Sequence, residues 1–286
     1  MNLGAFGIWW SGWQADDGLE AAAGELEALG YGAIWMSGGF SAGLTPRFGS
    51  VLDATTSIVV ASGIVNTWLT PAADLAAATA ALNSEHGGRF LLGLGASHAP
   101  IVEGNGQPYV KPFSQVAGFL DELDACEPPV GKDDRILAAL GPRMLRLAAD
   151  RSLGAHPYFT TAEHTASARQ LLGPDAILAP EVAVVLSTDP TEAREKARHY
   201  MAGYLGLPNY VGNLRRIGWS EDDLADGGST KLVDALVPWG APGTVAERLR
   251  QHRDAGADHV CIQVVGGGGA FPIASYGELA PALGLH

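Results

Sequence analysis

Arg89-Phe90-Leu91-Leu92-Gly93-Leu94-Gly95-Ala96-Ser97-His98 joins an apolar run to small residues and a histidine. A turn, Gly87-Gly88-Arg89, leads into an apolar run from Phe90 to Leu94 with the length and flanks of a buried strand. Strands of a parallel sheet are covered on both faces, so they read as continuous apolar runs. Small residues past the strand end let a flat ligand lie close to the backbone. His98 then stands at the carboxyl end of a strand, where α/β folds place their chemistry. The same residues also read as an ordinary βα loop carrying one polar side chain, and the stretch alone does not separate the two. Gly93-x-Gly95 is not a dinucleotide fingerprint: the third glycine position is His98, and no acidic partner follows at the required distance.

Working outward, strand and helix signals alternate. Leu3 to Trp10, Ala33 to Met36 and the β-branched run Ser57 to Val65 read as the first three strands, and Phe90 to Leu94 as the fourth. Arg135 to Leu140, Gly154 to Phe159, Glu181 to Leu186 and His259 to Val265 complete eight. Between them lie helical patterns. One, Leu19 to Leu29, is preceded by Asp16 and Asp17 as capping residues and closed by Gly30; another is the alanine-rich run from Pro71 to about Glu85. Pro112 to Asp124 carries an apolar face, and Gly141-Pro142, Thr161 and Asp189-Pro190 open three more helices. Alternation of this kind specifies a parallel sheet, and eight strands is the count of a (β/α)8 TIM barrel. A doubly wound sheet is the structural alternative, but no glycine-rich turn follows the first strand. The chain is expected to form one domain over residues 1–286. An insertion of about residues 204–242, between the seventh and eighth strands, is long enough for a lid or an interface.

Composition narrows the function classes. Hydrophobic residues make up 47% of the chain and charged residues 17%, which suits a large core and not a disordered chain. The net charge of -13 argues against nucleic acid and anionic membrane as partners, without excluding a local anion site built from backbone amides. Cys126 and Cys261 form no metal or disulfide pattern, so no metal is expected and a reducing, cytoplasmic setting fits. No basic leader and no bilayer-length apolar run stand out. The expected partner is a small-molecule substrate.

Five stretches carry a resemblance to a known family: Ala61-Ser62-Gly63-Ile64-Val65-Asn66, Gly88 to Gly95, Leu137 to Met144, Gly154-Ala155-His156-Pro157-Tyr158 and Leu207-Pro208-Asn209-Tyr210. Together they resemble the luciferase-like family, in particular its coenzyme F420 (deazaflavin)-dependent oxidoreductases of actinobacterial type. The resemblance implies a barrel with a flat flavin-type ring in its carboxyl-end mouth and hydride transfer to or from a small organic substrate. It implies a non-proline cis peptide at Gly63-Ile64, with Asn66 and Ser97 also on the cofactor. It places the cofactor's phosphate at Ala139-Leu140-Gly141-Pro142, where helix N-terminal amides suit an anion. Arg143, in the first turn of that helix, reads as a ligand contact or as a solvated arginine.

Two departures rearrange the acid/base inventory. The sugar-phosphate dehydrogenase branch has an Asp-His pair where this chain has Gly38-Gly39, and its acid position matches His98. A sugar phosphate is therefore disfavoured as substrate, and His98 and His156, with Tyr158, are the remaining candidates to handle a proton. His86, His164, His199 and His252 read as surface or capping residues, and His259 as a residue of the opposite, stability face. An FMN-dependent monooxygenase and a flavin-binding relative without turnover are the rival readings. The resemblance also implies a homodimer, paired through helices such as Ala73 to Ala81.

Overall fold

The computed structural model describes residues 1–11, 17–38, 44 and 46–286. Asp16 and Gly39, singled out above, lie outside the described residues. Among those described, ten strand segments form one sheet: β1 (Phe6–Trp10), β2 (Ala33–Met36), β3 (Val59–Ser62), β4 (Val65–Asn66), β5 (Phe90–Gly95), β6 (Arg135–Leu137), β7 (Gly154–Ala155), β8 (Ile177–Leu178), β9 (Glu181–Val184) and β10 (Val260–Val264). All pairings are parallel, in the order β8-β7-β6-β5-β3-β2-β1-β10-β9, with β4 beside β5.

The two ends of that order are halves of one stave. Pro180 separates β8 from β9 and has no N–H for the ladder. On either side of it Ala179 N–H donates to Ala155 O (2.9 Å) and Glu181 N–H to Pro157 O (2.8 Å), while Cys261 N–H donates to Pro180 O (2.9 Å). β8 thus holds β7 and β9 holds β10, which closes the barrel. β3 and β4 are likewise one stave interrupted at Gly63-Ile64, so ten segments make eight staves. The fold is the expected α/β barrel. Ile177–Leu178, assigned to no element from sequence, is the entry of the seventh stave, and the fifth and sixth strands are shorter than their apolar runs suggested.

The helices are α1 (Leu19–Ala28), α2 (Arg47–Asp53), α3 (Ala72–Glu85), α4 (Ala99–Gly104), α5 (Pro112–Ala125), α6 (Pro142–Arg151), α7 (Ala162–Leu172), α8 (Pro190–Leu205), α9 (Pro208–Arg216), α10 (Glu221–Leu224), α11 (Thr230–Leu236), α12 (Pro242–Asp254) and α13 (Ile273–Leu283). α9, α10 and α11 occupy the insertion, which ends where Val185 bridges Trp239. Strand alternation sorts the core into layers. Trp9, Trp35, Ala61, Leu91, Ile136 and Cys261 fill the barrel interior. Ile8, Ile34, Val60 and Leu92 face the helices. A third cluster, with Phe159, Met201, Tyr210 and Leu214, ties the insertion to the barrel wall. No helix among the described residues is long and apolar enough to cross a membrane.

The register contains one offset. Ala61 pairs with Leu91, yet Val65 pairs with Leu94, so four steps on the third stave run beside three on the fourth. This is a β-bulge of one extra residue, a device common beside active sites. Gly93 accommodates it: a Cβ there would lie 1.8 Å from the Ser62 carbonyl oxygen. Replacing Gly93 by Ala should therefore lower the melting temperature sharply or abolish soluble folding. Gly118 on α5 has open space around it, and Gly118→Ala should stabilise by about 0.5–1 kcal/mol through helix propensity. Thermal melts of the two variants check both outcomes.

Candidate active site

The floor of the barrel mouth rests on a column of rings. His259, on the loop before β10, donates Nδ1–H to Gly4 O (2.9 Å) and accepts the Trp35 indole N–H at Nε2 (3.1 Å). Gly7 leaves it room, since a Cβ there would lie 2.6 Å from His259 Nε2. Above, the His156 imidazole stacks on Trp35 with centroids 4.3 Å apart and planes 13° from parallel. His156 donates Nδ1–H to Ala179 O (2.7 Å), so the tautomer is fixed and Nε2 carries a bare lone pair. Burial pushes the imidazole down to about 4, against the Ala179 hydrogen bond, which favours the charged form. His156 is thus a neutral acceptor, not a stored proton.

Gly63 and Ile64 lie at this level, and the peptide between them is cis. A Cβ on Gly63 would meet Trp9 Nε1 at 2.4 Å and His156 Nε2 at 3.3 Å. Trp9 Nε1, His156 Nε2 and Asn66 Nδ2 are buried here without hydrogen-bond partners. A buried polar atom left unpaired costs free energy, so three converging on one space call for a ligand with both donors and acceptors.

His98 forms the wall past β5. Ser97 takes a left-handed conformation (φ 56°) that turns the chain, and His98 caps α4. Its ring packs against Tyr210 at 5.3 Å. Burial lowers the His98 pKa, partly opposed by the hydrogen bond with the Asn209 side chain, and Nδ1 has no partner. His98 is less buried than His156.

The opposite end of the space is the start of α6. Pro142 occupies its first turn, and Leu145 N–H to Gly141 O (3.0 Å) is the first backbone bond, which leaves the Arg143 and Met144 amides at the positive end of the helix dipole. Arg143 itself points away: it is exposed, with its guanidinium 4.1 Å from the Phe113 ring centroid. The cation at this end comes instead from the insertion. Arg216 of α9 donates to Asn213 Oδ1 (2.9 Å), and its guanidinium lies 3.8 Å from where a Gly141 Cβ would be. His164, read above as a surface or capping residue, is buried and donates Nε2–H to Leu140 O (2.9 Å); its Nδ1 is unpartnered, like Asn213 Nδ2. His252, given the same reading, is buried as well and hydrogen-bonded to the Thr165 hydroxyl (2.9 Å).

These surfaces enclose a cavity of about 530 Å³. Gly63, Ile64, Asn66, Ser97, His98, Ala139, Leu140, Gly141 and His156 all line it; Pro142 sits just behind Gly141, and Arg143 is outside. Sequence reasoning missed Trp9, Tyr204 and Arg216. The run Leu207-Pro208-Asn209-Tyr210 was the signal that could have found the insertion's share, since Leu207, Asn209 and Tyr210 all line the space. Among the described lining residues none is Asp, Glu, Lys or Arg.

A parallel barrel with a deep cavity at its carboxyl mouth defines a small-molecule enzyme of the α/β-barrel class. The chain belongs to the luciferase-like monooxygenase family, whose model matches residues 14–259, and it is an enzyme of that superfamily of oxidoreductases and monooxygenases. No curated protein matches the sequence. Among solved structures it is similar to the coenzyme F420 dependent tetrahydromethanopterin reductase from Methanopyrus kandleri, at TM-score 0.77 and 16% identity, covering 99% of each chain. It is also similar to an F420-dependent secondary alcohol dehydrogenase in complex with an F420-acetone adduct, at TM-score 0.74 and 13% identity over 99% of each chain. The oxygenating constituent of 3,6-diketocamphane monooxygenase from the CAM plasmid of Pseudomonas putida, in complex with FMN, aligns at TM-score 0.68 and 16% identity over 98% of each chain.

Burial holds His156, His252 and His259 each at about 4, below the ordinary 6.5. Unfolded histidines bind protons first as pH falls, so the stability these groups contribute is present above about 6.5 and is lost toward 4. At about 1.4 kcal/mol per pKa unit, three such groups make the acid side steep. The urea midpoint of the wild type should drop across this window, and that of His252→Gln should drop less relative to its own value at pH 7.

Proposed function

We propose that this protein is an F420-dependent oxidoreductase that moves a hydride between the deazaflavin and a small, uncharged organic substrate. The observation that carries the reading is the set of unpartnered polar atoms facing the bulge at Gly63-Ile64, across the cavity from the α6 N-terminus. That set fits the group. Trp9 Nε1 and Asn66 Nδ2 would donate to ring oxygens or nitrogens, and His156 Nε2 would accept a ring N–H. The glycine at 63 leaves the close approach a flat ring needs. The Arg143 and Met144 amides and the Arg216 guanidinium would hold a phosphate. When bound, the cofactor supplies the hydride chemistry.

The chain's own residues supply orientation and the proton. His98 is placed as proton donor or substrate orienter. The described lining, without charged side chains and rich in aromatic rings, favours a neutral carbonyl or imine over a sugar phosphate. Support for F420 over FMN comes from the branch-like stretches at Leu137 to Met144 and Gly154 to Tyr158. FMN-dependent monooxygenation remains the second reading, favoured by the family description and by the FMN-bound neighbour.

Fluorescence-quenching titrations decide between them. F420 should bind well ahead of FMN; micromolar FMN binding with no F420 binding would sink the proposal. Arg216→Ala should weaken F420 binding by about tenfold, an interaction on the order of 1.4 kcal/mol for a charge-assisted hydrogen bond, while Arg143→Ala leaves it near wild type. His98→Ala should still bind F420 and lose about a hundredfold in turnover, the lower range for general acid catalysis. Loss of affinity with the rate retained would make His98 a binding residue.

We also propose pairing of two copies through α3, whose Ala73, Ala77 and Ala81 are exposed one turn apart. A monomer by light scattering at micromolar concentration would remove that proposal.

A further inference from the structure

One carboxyl group in the barrel wall has no part in the site as described so far. Glu181 opens β9 and is 1% exposed. Its Oε1 accepts the Tyr200 hydroxyl (3.2 Å) and its Oε2 the Phe159 N–H (3.3 Å). Tyr200 lies on α8, and its ring packs against that of Tyr204, one turn further on, with centroids 4.9 Å apart. Tyr158 and Tyr204 share a hydroxyl–hydroxyl bond of 2.9 Å, and Tyr158 donates to Gln263 Oε1 (2.8 Å). Tyr158 and Tyr204 line the cavity; Glu181 and Tyr200 stand behind them.

We propose that Glu181 is the proton store of the reaction, connected to the cavity through the hydroxyls of Tyr200, Tyr158 and Tyr204. The inference rests on the hydride-transfer reading above. A buried carboxyl without a cation beside it keeps its proton, because desolvation penalises the charged form. The ionisable groups that face Glu181 are Tyr158, Tyr200 and Tyr204, Tyr210 of α9, Cys261 of β10 and Tyr276 of α13, all neutral acids. Burial raises the Glu181 pKa from the ordinary 4.5 to about 8, against the two hydrogen bonds, which favour the carboxylate. An acid poised near the working pH is the kind that transfers protons well. His156 is committed as an acceptor and cannot fill this role.

The hydride and its electron pair would come from the bound reductant, a dihydrodeazaflavin, which would be left oxidised once its ring N–H proton passes to solvent. As they reach the substrate carbon, the π bond to its heteroatom breaks and the heteroatom becomes anionic. That atom takes the proton of the Tyr158 or Tyr204 hydroxyl, which takes that of Tyr200, which takes that of Glu181. Glu181 is left as carboxylate and regains a proton from solvent when product leaves. In the oxidation direction every transfer reverses.

Infrared difference spectroscopy on the cofactor-free protein tests the acid directly. A carboxylic-acid carbonyl band should be present at about pH 6, disappear with a midpoint near 8, and be absent from Glu181→Gln. In Tyr200→Phe the band should remain and its midpoint should rise, because the carboxylate loses a donor. No such band in the wild type, or an unmoved midpoint in Tyr200→Phe, overturns the proposal. The path is tested in single turnover: protein-bound F420 is reduced with borohydride, freed of excess reagent and mixed with small neutral aldehydes and ketones, and its reoxidation is followed by absorbance. Glu181→Gln and Tyr200→Phe should bind F420 as the wild type does, by fluorescence quenching, and be reoxidised about a hundredfold more slowly than the wild type at pH 7. Unchanged rates overturn the relay while the cofactor reading stands. Failure of the wild type to bind F420 overturns the cofactor reading, and with it the proton's destination, while the infrared band still reports on the acid.

Discussion

The hydrogen bond from the Trp35 indole to His259, and the stacking of His156 on the same indole, are what the rest of the site depends on. A barrel interior has to be filled by side chains, because a packed fold tolerates few voids. Here one tryptophan fills the middle layer. It also fixes the protonation pattern of the imidazoles on either side. His259 must present a lone pair upward to receive the indole proton, so its own proton goes to Gly4 O. His156, held flat on the ring, sends its proton sideways to Ala179 O and leaves its other nitrogen facing the mouth. The chemistry available at the floor is thus set by packing two layers below it.

Much of this architecture was legible in the chain. The strands rest on apolar runs bounded by turn residues, and Ala33–Met36 is bounded as read because both flanks are glycine or serine. The seventh stave was harder, since its first half, Ile177–Leu178, is two residues long and precedes a proline. No periodicity exists over so short a run. The cavity-lining glycines, Asn66, Ser97, His98 and His156 were legible through resemblance, as positions on strand ends. For Arg143 the two readings stayed open because proximity in sequence to a helix N-terminus says nothing about where a long side chain goes, and Phe113 offers it a ring face. Arg216 was out of reach, because its approach to Gly141 depends on how α9 folds back. Glu181 read as an ordinary strand residue; only the tyrosines arriving from α8 show what surrounds it.

The insertion is therefore part of the site. α8 and α9 bring Tyr204, Tyr210 and Asn209 to one side of the cavity, with Tyr200 behind them, and the third core cluster locks the tyrosines to Phe159 on the barrel. The staves provide a floor that accepts and donates hydrogen bonds; α8 joins Tyr158 in the hydroxyl network, and the insertion provides the cation. One fold can then keep its floor while its substrate wall varies with the insertion.

The offset register of the third stave has a consequence for parity. Along a strand, inward and outward positions alternate, so Ala61 facing the interior would send Val65 inward and Asn66 toward the helices. The extra residue inverts that phase. Val65 packs with the outer layer, and Asn66 opens into the cavity. The bulge works as a one-step frame change whose downstream product is a polar side chain in the mouth. The same residues run as a regular strand, with the bulge ironed out and none removed, would exchange the two, turning an amide into the helix layer and a valine onto the ligand.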